Sequence, residues 1–160
     1  MLADKGLLEA IEAQAGRLPI EVVIEAEPAL RGVRFPRHAE SAAWFVVAEA
    51  LTNTVKHAAA GRVRVALGQR DGRLAVEVSD DGCGFDPVAA RGLGLSSLAD
   101  RMSIVGGTLR IDSRPGAGTT VRAEVPLAVA GLGAGADGVP AVASNPGRAE
   151  PLAAAETGDG

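Results

Sequence analysis

The chain has 160 residues and a formal net charge of −4, so a single domain can hold its core and a basic nucleic-acid-binding surface is not expected. It is 47% hydrophobic but carries only four aromatic residues, Phe35, Trp44, Phe45 and Phe85, so the core must be built from Val, Leu, Ile and Ala. Cys83 is the only cysteine, which excludes an internal disulfide and fits a reducing compartment. No leader and no apolar run of about 18 residues is evident, so the expectation is a cytoplasmic chain without a membrane segment.

Residues 2–16 read as a short amphipathic helix with Leu7, Ile11, Ala15 and Leu18 on one face and Gly16 to end it. Ile20 to Glu25 reads as a strand and Pro28 to Pro36 as a loop. A long helix is expected from Arg37 to Ala60, with Pro36 suited to its start. Trp44, Val47, Ala48, Leu51, Val55 and Ala58 recur at helical spacing and predict its buried stripe. Glu49, Asn53 and His57, with Lys56 beside them, form a separate polar line.

A hairpin follows. Val63, Val65 and Leu67 alternate with polar or small residues, Asp71-Gly72 suits a two-residue turn, and Leu74, Val76 and Val78 alternate in their turn. One more step of that parity turns Asp80 inward and Asp81 outward. An inward carboxylate is costly unless it is paired or hydrated. Gly82 to Gly94 is too rich in glycine, with Pro87, for regular structure. Ser96 to Val105 reads as a helix closed by Gly106-Gly107, Leu109 and Ile111 mark a strand, and Arg114 to Gly118 is a turn. In the last strand Thr119, Val121, Ala123 and Val125 share the inward face. Residues 128–160 are dominated by Ala, Gly and Pro without periodicity and are expected to be a disordered tail after a domain at 1–127.

Asp80 is suited to accept a hydrogen bond from a neutral N–H such as the amine of adenine. Gly82 and Gly84 let a flat base approach the backbone. Gly92-Leu93-Gly94-Leu95 opens a helix, where N–H groups suit phosphate. Asn53 can offer an amide oxygen to Mg²⁺, and Lys56 and His57 can neutralise phosphate. Taken singly, each has a plain alternative: a turn after a strand, a loop feeding a helix, a solvated helix face. His38 reads as a surface residue at a helix start.

Together the motifs are more specific. The order Glu49-x-x-x-Asn53-x-x-Lys56-His57-Ala58, Asp80-x-Gly-x-Gly84, Gly92-Leu-Gly-Leu95 and Gly118-Thr-Thr120 resembles the ATP-binding catalytic domain of sensor histidine kinases, within the gyrase/Hsp90/histidine kinase/MutL ATPase superfamily. The stretch from Gly94 to Pro126 looks most like the kinases paired with helix-turn-helix response regulators. The resemblance covers residues 5–127. It implies an α+β fold, a two-layer α/β sandwich of the Bergerat type with a mixed sheet and helices on one face. It implies ATP and Mg²⁺ as ligands, with Asn53 on the metal and Glu49 positioning groups near the γ-phosphate. Lys56 and His57 would face phosphate, Asp80 the adenine amine with Thr119 beside it, and Gly82 and Gly84 the base. Gly92, Leu93, Gly94 and Leu95 would flank a short lid, with Arg91 as a phosphate contact.

The implied reaction is transfer of the γ-phosphoryl group to a histidine, and the implied partners are a histidine-bearing dimerisation domain or a response regulator. Neither His38 nor His57 has the acidic context of a phosphoacceptor. The expectation is therefore a truncated or trans-acting kinase domain, monomeric in isolation. The alternatives are an anti-sigma-factor serine/threonine kinase of the same superfamily and a non-catalytic ATP-binding module.

Overall fold

The computed structural model describes residues 5–86 and 95–128, without the side chains of His57 and Ala58. The expected tail and most of the glycine-flanked lid, Arg91 to Gly94 included, lie outside the described residues. The elements are α1 (Leu7–Ala15), β1 (Glu21–Ala26), a 3₁₀ turn (Pro28–Leu30), α2 (Arg37–Asn53) continued by a π-helical turn (Thr54–Ala58), β2 (Arg62–Arg70), β3 (Arg73–Asp80), α3 (Leu95–Ile104), β4 (Thr108–Ser113) and β5 (Thr119–Pro126). Among the described residues no helix is long and apolar enough to cross a membrane.

The strands form one mixed sheet in the order β1-β2-β3-β5-β4, with β1 parallel to β2 and the other pairs antiparallel. The hairpin turns where the sequence places it: Asp71 and Gly72 both take positive φ, 50° and 73°, and Arg70 pairs with Arg73. That turn fixes the register. Val63, Val65, Leu67, Leu74, Val76, Val78, Val121, Ala123 and Val125 all reach one buried face, and the helices cover it. This is the expected α+β, two-layer arrangement.

The other face of the sheet is wet. It carries a row of ion pairs that crosses all five strands: Glu25 to Arg64 at 2.9 Å, Arg64 to Glu77 at 2.8 Å, Glu77 to Arg122, and Arg122 to Asp112 at 3.0 Å. Burial pushes the Glu77 carboxyl up, but the two guanidinium partners outweigh it and leave it below the usual carboxylate range. Exposed pairs of this kind contribute little to stability one by one. Their effect here is to keep a broad sheet face polar and in register.

Helix α2 departs from expectation in two ways. Its buried residues are Ala39, Glu40, Ala42, Ala43, Val46, Val47, Ala50 and Leu51. Of the predicted stripe, among the described side chains only Val47 and Leu51 are fully buried; Trp44 is half-buried and Val55 is exposed. Alanines on the true stripe let the helix lie close to β3 and β5. The α-helix also stops at Asn53 rather than Ala60, and the π-turn that follows ends at Ala59 in the left-handed conformation.

Three polar contacts fix α2 to its surroundings. Glu40 accepts from the Phe35 N–H and from the Arg34 guanidinium at its start. His38, expected at the surface, is half-buried and donates from Nε2 to the Pro126 carbonyl at 2.8 Å, which pins the helix to the end of β5. The Arg101 guanidinium of α3 stacks 3.6 Å over the Phe45 ring of α2.

Asp81 faces outward, as parity requires, and its carboxylate accepts the N–H groups of Gly61 and Arg62 at 3.0 and 3.1 Å. Those bonds, Arg62 first and then Gly61, hold its carboxyl below the usual range. A depressed carboxyl stabilises the fold above its unfolded value and loses that contribution as pH falls through the folded one. The melting-temperature gap between wild type and Asp81→Asn is therefore expected to be constant above about pH 5 and to shrink below about pH 4. A gap that does not change in thermal melts down to about pH 3 would assign those bonds no weight.

Candidate functional site

Strand β3 ends at Asp80, paired across the sheet with Val63 of β2 and Thr119 of β5. Asp80 and Thr119 therefore share the inward face where the covering helix runs out. The gap left there is a pocket partly open to solvent. Ala50, Val78, Phe85, Leu95 and Val121 make its apolar walls, and Asn53, Thr54, Asp80 and Thr119 supply its polar groups. Apolar walls with a few convergent polar atoms are the usual composition of a small-molecule site.

The Asp80 carboxylate is held from both sides. Oδ1 accepts the Gly82 N–H at 2.9 Å, and Oδ2 accepts from the Thr54 hydroxyl at 3.1 Å. Both donors are neutral groups, a backbone N–H and a hydroxyl. An ionised carboxylate has about four lone-pair sites, so these two bonds leave capacity for a ligand donor.

Beside it the Ser113 hydroxyl joins three segments. It accepts the Phe85 N–H at 2.9 Å, lies 2.8 Å from the Thr119 hydroxyl and donates toward the Gly118 carbonyl at 3.1 Å. The wall it fastens requires two glycines. Gly84 takes φ 65° and a Cβ there would overlap the Arg114 carbonyl oxygen; Gly118 takes φ 75° and a Cβ there would overlap the Asp80 carbonyl oxygen. The turn after β4 is thus folded against the loop after β3, with the Gly116 N–H bonded to the Cys83 carbonyl.

The structure brings Asn53, Asp80, Gly84, Leu95 and Thr119 together in the pocket. Glu49, Lys56 and Gly82 do not line it; Glu49 is half-buried one helical turn before Asn53, Lys56 is exposed, and Gly82 contributes its N–H to Asp80. Arg91, Gly92, Leu93, Gly94 and the His57 side chain lie outside the described residues. Thr54 and Ser113 were not singled out in the sequence. Thr54 had a usable signal: Ala43, Val47, Ala50 and Thr54 are spaced as one helical stripe, and it is the polar member of it.

The family of histidine kinase-, DNA gyrase B- and HSP90-like ATPases matches residues 39–129, more than half of the sequence. The chain belongs to this ATPase family. Every pocket residue lies inside the matched segment. The sensor histidine kinase LiaS of Bacillus subtilis (strain 168) is 32% identical over 128 residues, covering 79% of this chain and 36% of LiaS. The signal transduction histidine-protein kinase/phosphatase DegS of Brevibacillus brevis is 36% identical over 99 residues, covering 61% of this chain and 26% of DegS. Among solved structures, the blue-light activated histidine kinase of Erythrobacter litoralis EL346 superposes with a TM-score of 0.60 at 28% identity, covering 76% of this chain and 39% of that one. The chain spans about a quarter to a third of the length of these two curated relatives.

Among the described residues there is no cluster of three or more His, Cys, Asp or Glu side chains that could cage a metal. The pocket's oxygen donors are Asn53, Thr54, Asp80 and Thr119; the Asp80 carboxylate is already bonded to Thr54 and the Gly82 N–H, and the Asn53 amide is the candidate for a metal. A single neutral oxygen fits Mg²⁺, which keeps several waters and is usually held together with substrate phosphates.

Proposed function

We propose that this chain is a kinase catalytic domain of the two-component type, which binds Mg-ATP and donates the γ-phosphoryl group to a histidine on a partner. The observation that carries the reading is the Asp80 carboxylate, aimed into an apolar pocket and steadied by Thr54 and the Gly82 N–H. An anion in that setting selects a donor on a flat apolar ligand, and the exocyclic amine of adenine meets the description. Thr119 stands beside it on the next strand. Gly84, lacking a Cβ, and Phe85 close the wall against the base.

Asn53 lies at the end of α2, on the pocket side, and is the residue proposed to hold Mg²⁺; when bound, the metal supplies charge neutralisation on the phosphates. Glu49, Lys56, His57, Arg91, Gly92, Leu93 and Gly94 are proposed to serve the phosphate end, with Gly82 backing the base. In the transfer, an imidazole nitrogen of the acceptor forms a bond to the γ-phosphorus. The bond from that phosphorus to the β,γ-bridging oxygen breaks, ADP leaves with the electron pair, and the ring proton passes to water. The protein's part is positioning and charge stabilisation. His38 is engaged with the Pro126 carbonyl, so the acceptor is assigned to a partner: a histidine-bearing dimerisation domain, with a response regulator downstream. A cytoplasmic location suits both the nucleotide and the single thiol.

Incubation with γ-labelled ATP and a histidine-bearing helical hairpin tests the reading. Label on the hairpin that is stable to base and labile to acid is the expected result. Acid-stable label on serine, or nucleotide binding without transfer to any hairpin supplied, would replace it with a serine kinase or a binding module. Asn53→Ala is expected to remove the Mg²⁺ dependence of binding and transfer. A variant as responsive to magnesium as wild type takes Asn53 out of the metal role.

A further inference from the structure

We infer that Thr54 is a positioning residue for base recognition, fixing the Asp80 carboxylate so that the pocket discriminates by the substituent at purine C6. The inference rests on the nucleotide reading above and assigns a part to a residue that reading does not use.

Thr54 is 3% exposed, one of two buried polar residues in the described core. Its hydroxyl lies 2.9 Å from the Ala50 carbonyl and 3.1 Å from Asp80 Oδ2. It has one proton, and two acceptors compete for it. Two arguments direct it to Asp80. The Ala50 carbonyl already accepts the backbone N–H of Thr54, which it shares with the Leu51 carbonyl. And a charged acceptor forms roughly twice as strong a bond as a neutral one.

The backbone agrees. A threonine hydroxyl close to the carbonyl four residues back crowds that carbonyl and loosens the helix. Here the α-helix ends at Asn53 and a π-helical turn begins at Thr54. Such turns concentrate at functional sites. The turn leaves Asn53 and Thr54 adjacent on the pocket lining, with Thr54 on the Asp80 carboxylate.

With Gly82 on Oδ1 and Thr54 on Oδ2, the carboxylate plane has a donor on each oxygen and cannot rotate without losing one. The remaining lone pairs then point in fixed directions. An amine at C6 meets them; hydrogen at C6 makes no such bond, and an oxo group presents an acceptor to an acceptor.

The test uses the whole chain and calorimetric titration with ATP and with purine riboside 5′-triphosphate, which carries hydrogen at C6. Wild type is expected to prefer ATP by about tenfold or more, the size of one hydrogen bond to a charged group. Thr54→Val keeps the shape and removes the hydroxyl; it is expected to reduce that preference to about twofold or less, chiefly by weakening ATP. Thr54→Ser restores the donor and is expected to restore the preference. If Thr54→Val keeps the wild-type preference, or weakens both ligands equally, Thr54 only packs the core and the inference is overturned. If Thr54→Ser does not restore the preference, the hydroxyl is not the cause and the inference is likewise overturned. A wild type that binds both ligands equally removes the Asp80–amine contact of the proposed function and this inference with it, a result distinct from the others.

Discussion

Replacing Asp80 by asparagine is expected to weaken ATP binding by about ten- to a hundredfold while leaving the fold intact. The two side chains have the same shape, so the β3–β5 pairing of Asp80 with Thr119 is not disturbed. The asparagine oxygen can still take the Gly82 N–H. Its NH₂ then faces Thr54 and the pocket. Thr54 has an alternative acceptor in the Ala50 carbonyl at 2.9 Å, so no buried hydroxyl is stranded. The ligand has none: an amine that met a carboxylate now meets another donor. The loss therefore falls on binding, and the melting temperature without nucleotide is expected to move by no more than about 3 °C, the shift of a change under ~1 kcal/mol. Calorimetry with ATP checks the first part and thermal denaturation the second. Affinity within twofold of wild type would remove Asp80 from the site.

Asp80 could be found in the sequence because strands keep a strict period in a sheet with one wet face. A slip of one residue would turn Val63, Val65, Leu67, Leu74, Val76 and Val78 to solvent and bury Arg64 and Glu77. The Asp71-Gly72 turn then counts out the register to Val63 opposite Asp80, and the same parity carries across to Thr119. Helix α2 was harder to read. Ala42 through Ala48 is an unbroken apolar run, so the angle of the buried stripe is not set by polarity. The choice is made by size: alanines go against the sheet, and Trp44 goes to the side. Misplacing the stripe hid Thr54, whose partner Asp80 is 26 residues away. His38 and Ser113 were hidden for the same kind of reason. The acceptor of His38 is a main-chain carbonyl 88 residues on, and the Ser113 hydroxyl takes its N–H from a loop 28 residues back. No local pattern encodes such pairs. The phosphate-side motif at Gly92 to Leu95 was legible as composition, since glycines and a following helix are local features, and only Leu95 of it falls among the described residues.

Truncating Glu40 to alanine is expected to produce the largest loss of stability, about 2–3 kcal/mol. Glu40 is 3% exposed, in the first turn of α2, where a carboxylate also meets the favourable end of the helix dipole. It accepts the Phe35 N–H at 2.9 Å and two bonds from the Arg34 guanidinium, at 3.1 and 2.9 Å. Arg34 is half-exposed and can turn to water when its partner goes. The Phe35 N–H cannot, and a buried donor without an acceptor carries its full desolvation cost. Glu40→Gln keeps an oxygen for that N–H and gives up the charge, so its loss should be smaller than that of alanine. For a domain of this size the alanine variant should melt about 6–10 °C below wild type. The two variants then separate folding from binding. Saturating ATP should raise the melting temperature of Glu40→Ala by about as much as that of wild type, because the ligand shift depends on affinity for the folded state. It should raise that of Asp80→Asn by less, the shortfall being about 1.4–2.7 kcal/mol for a ten- to hundredfold loss of affinity. If Glu40→Ala melts with wild type, or if alanine and glutamine are equally harmful, the Phe35 N–H is not what Glu40 serves, and the entry to α2 is held by something else.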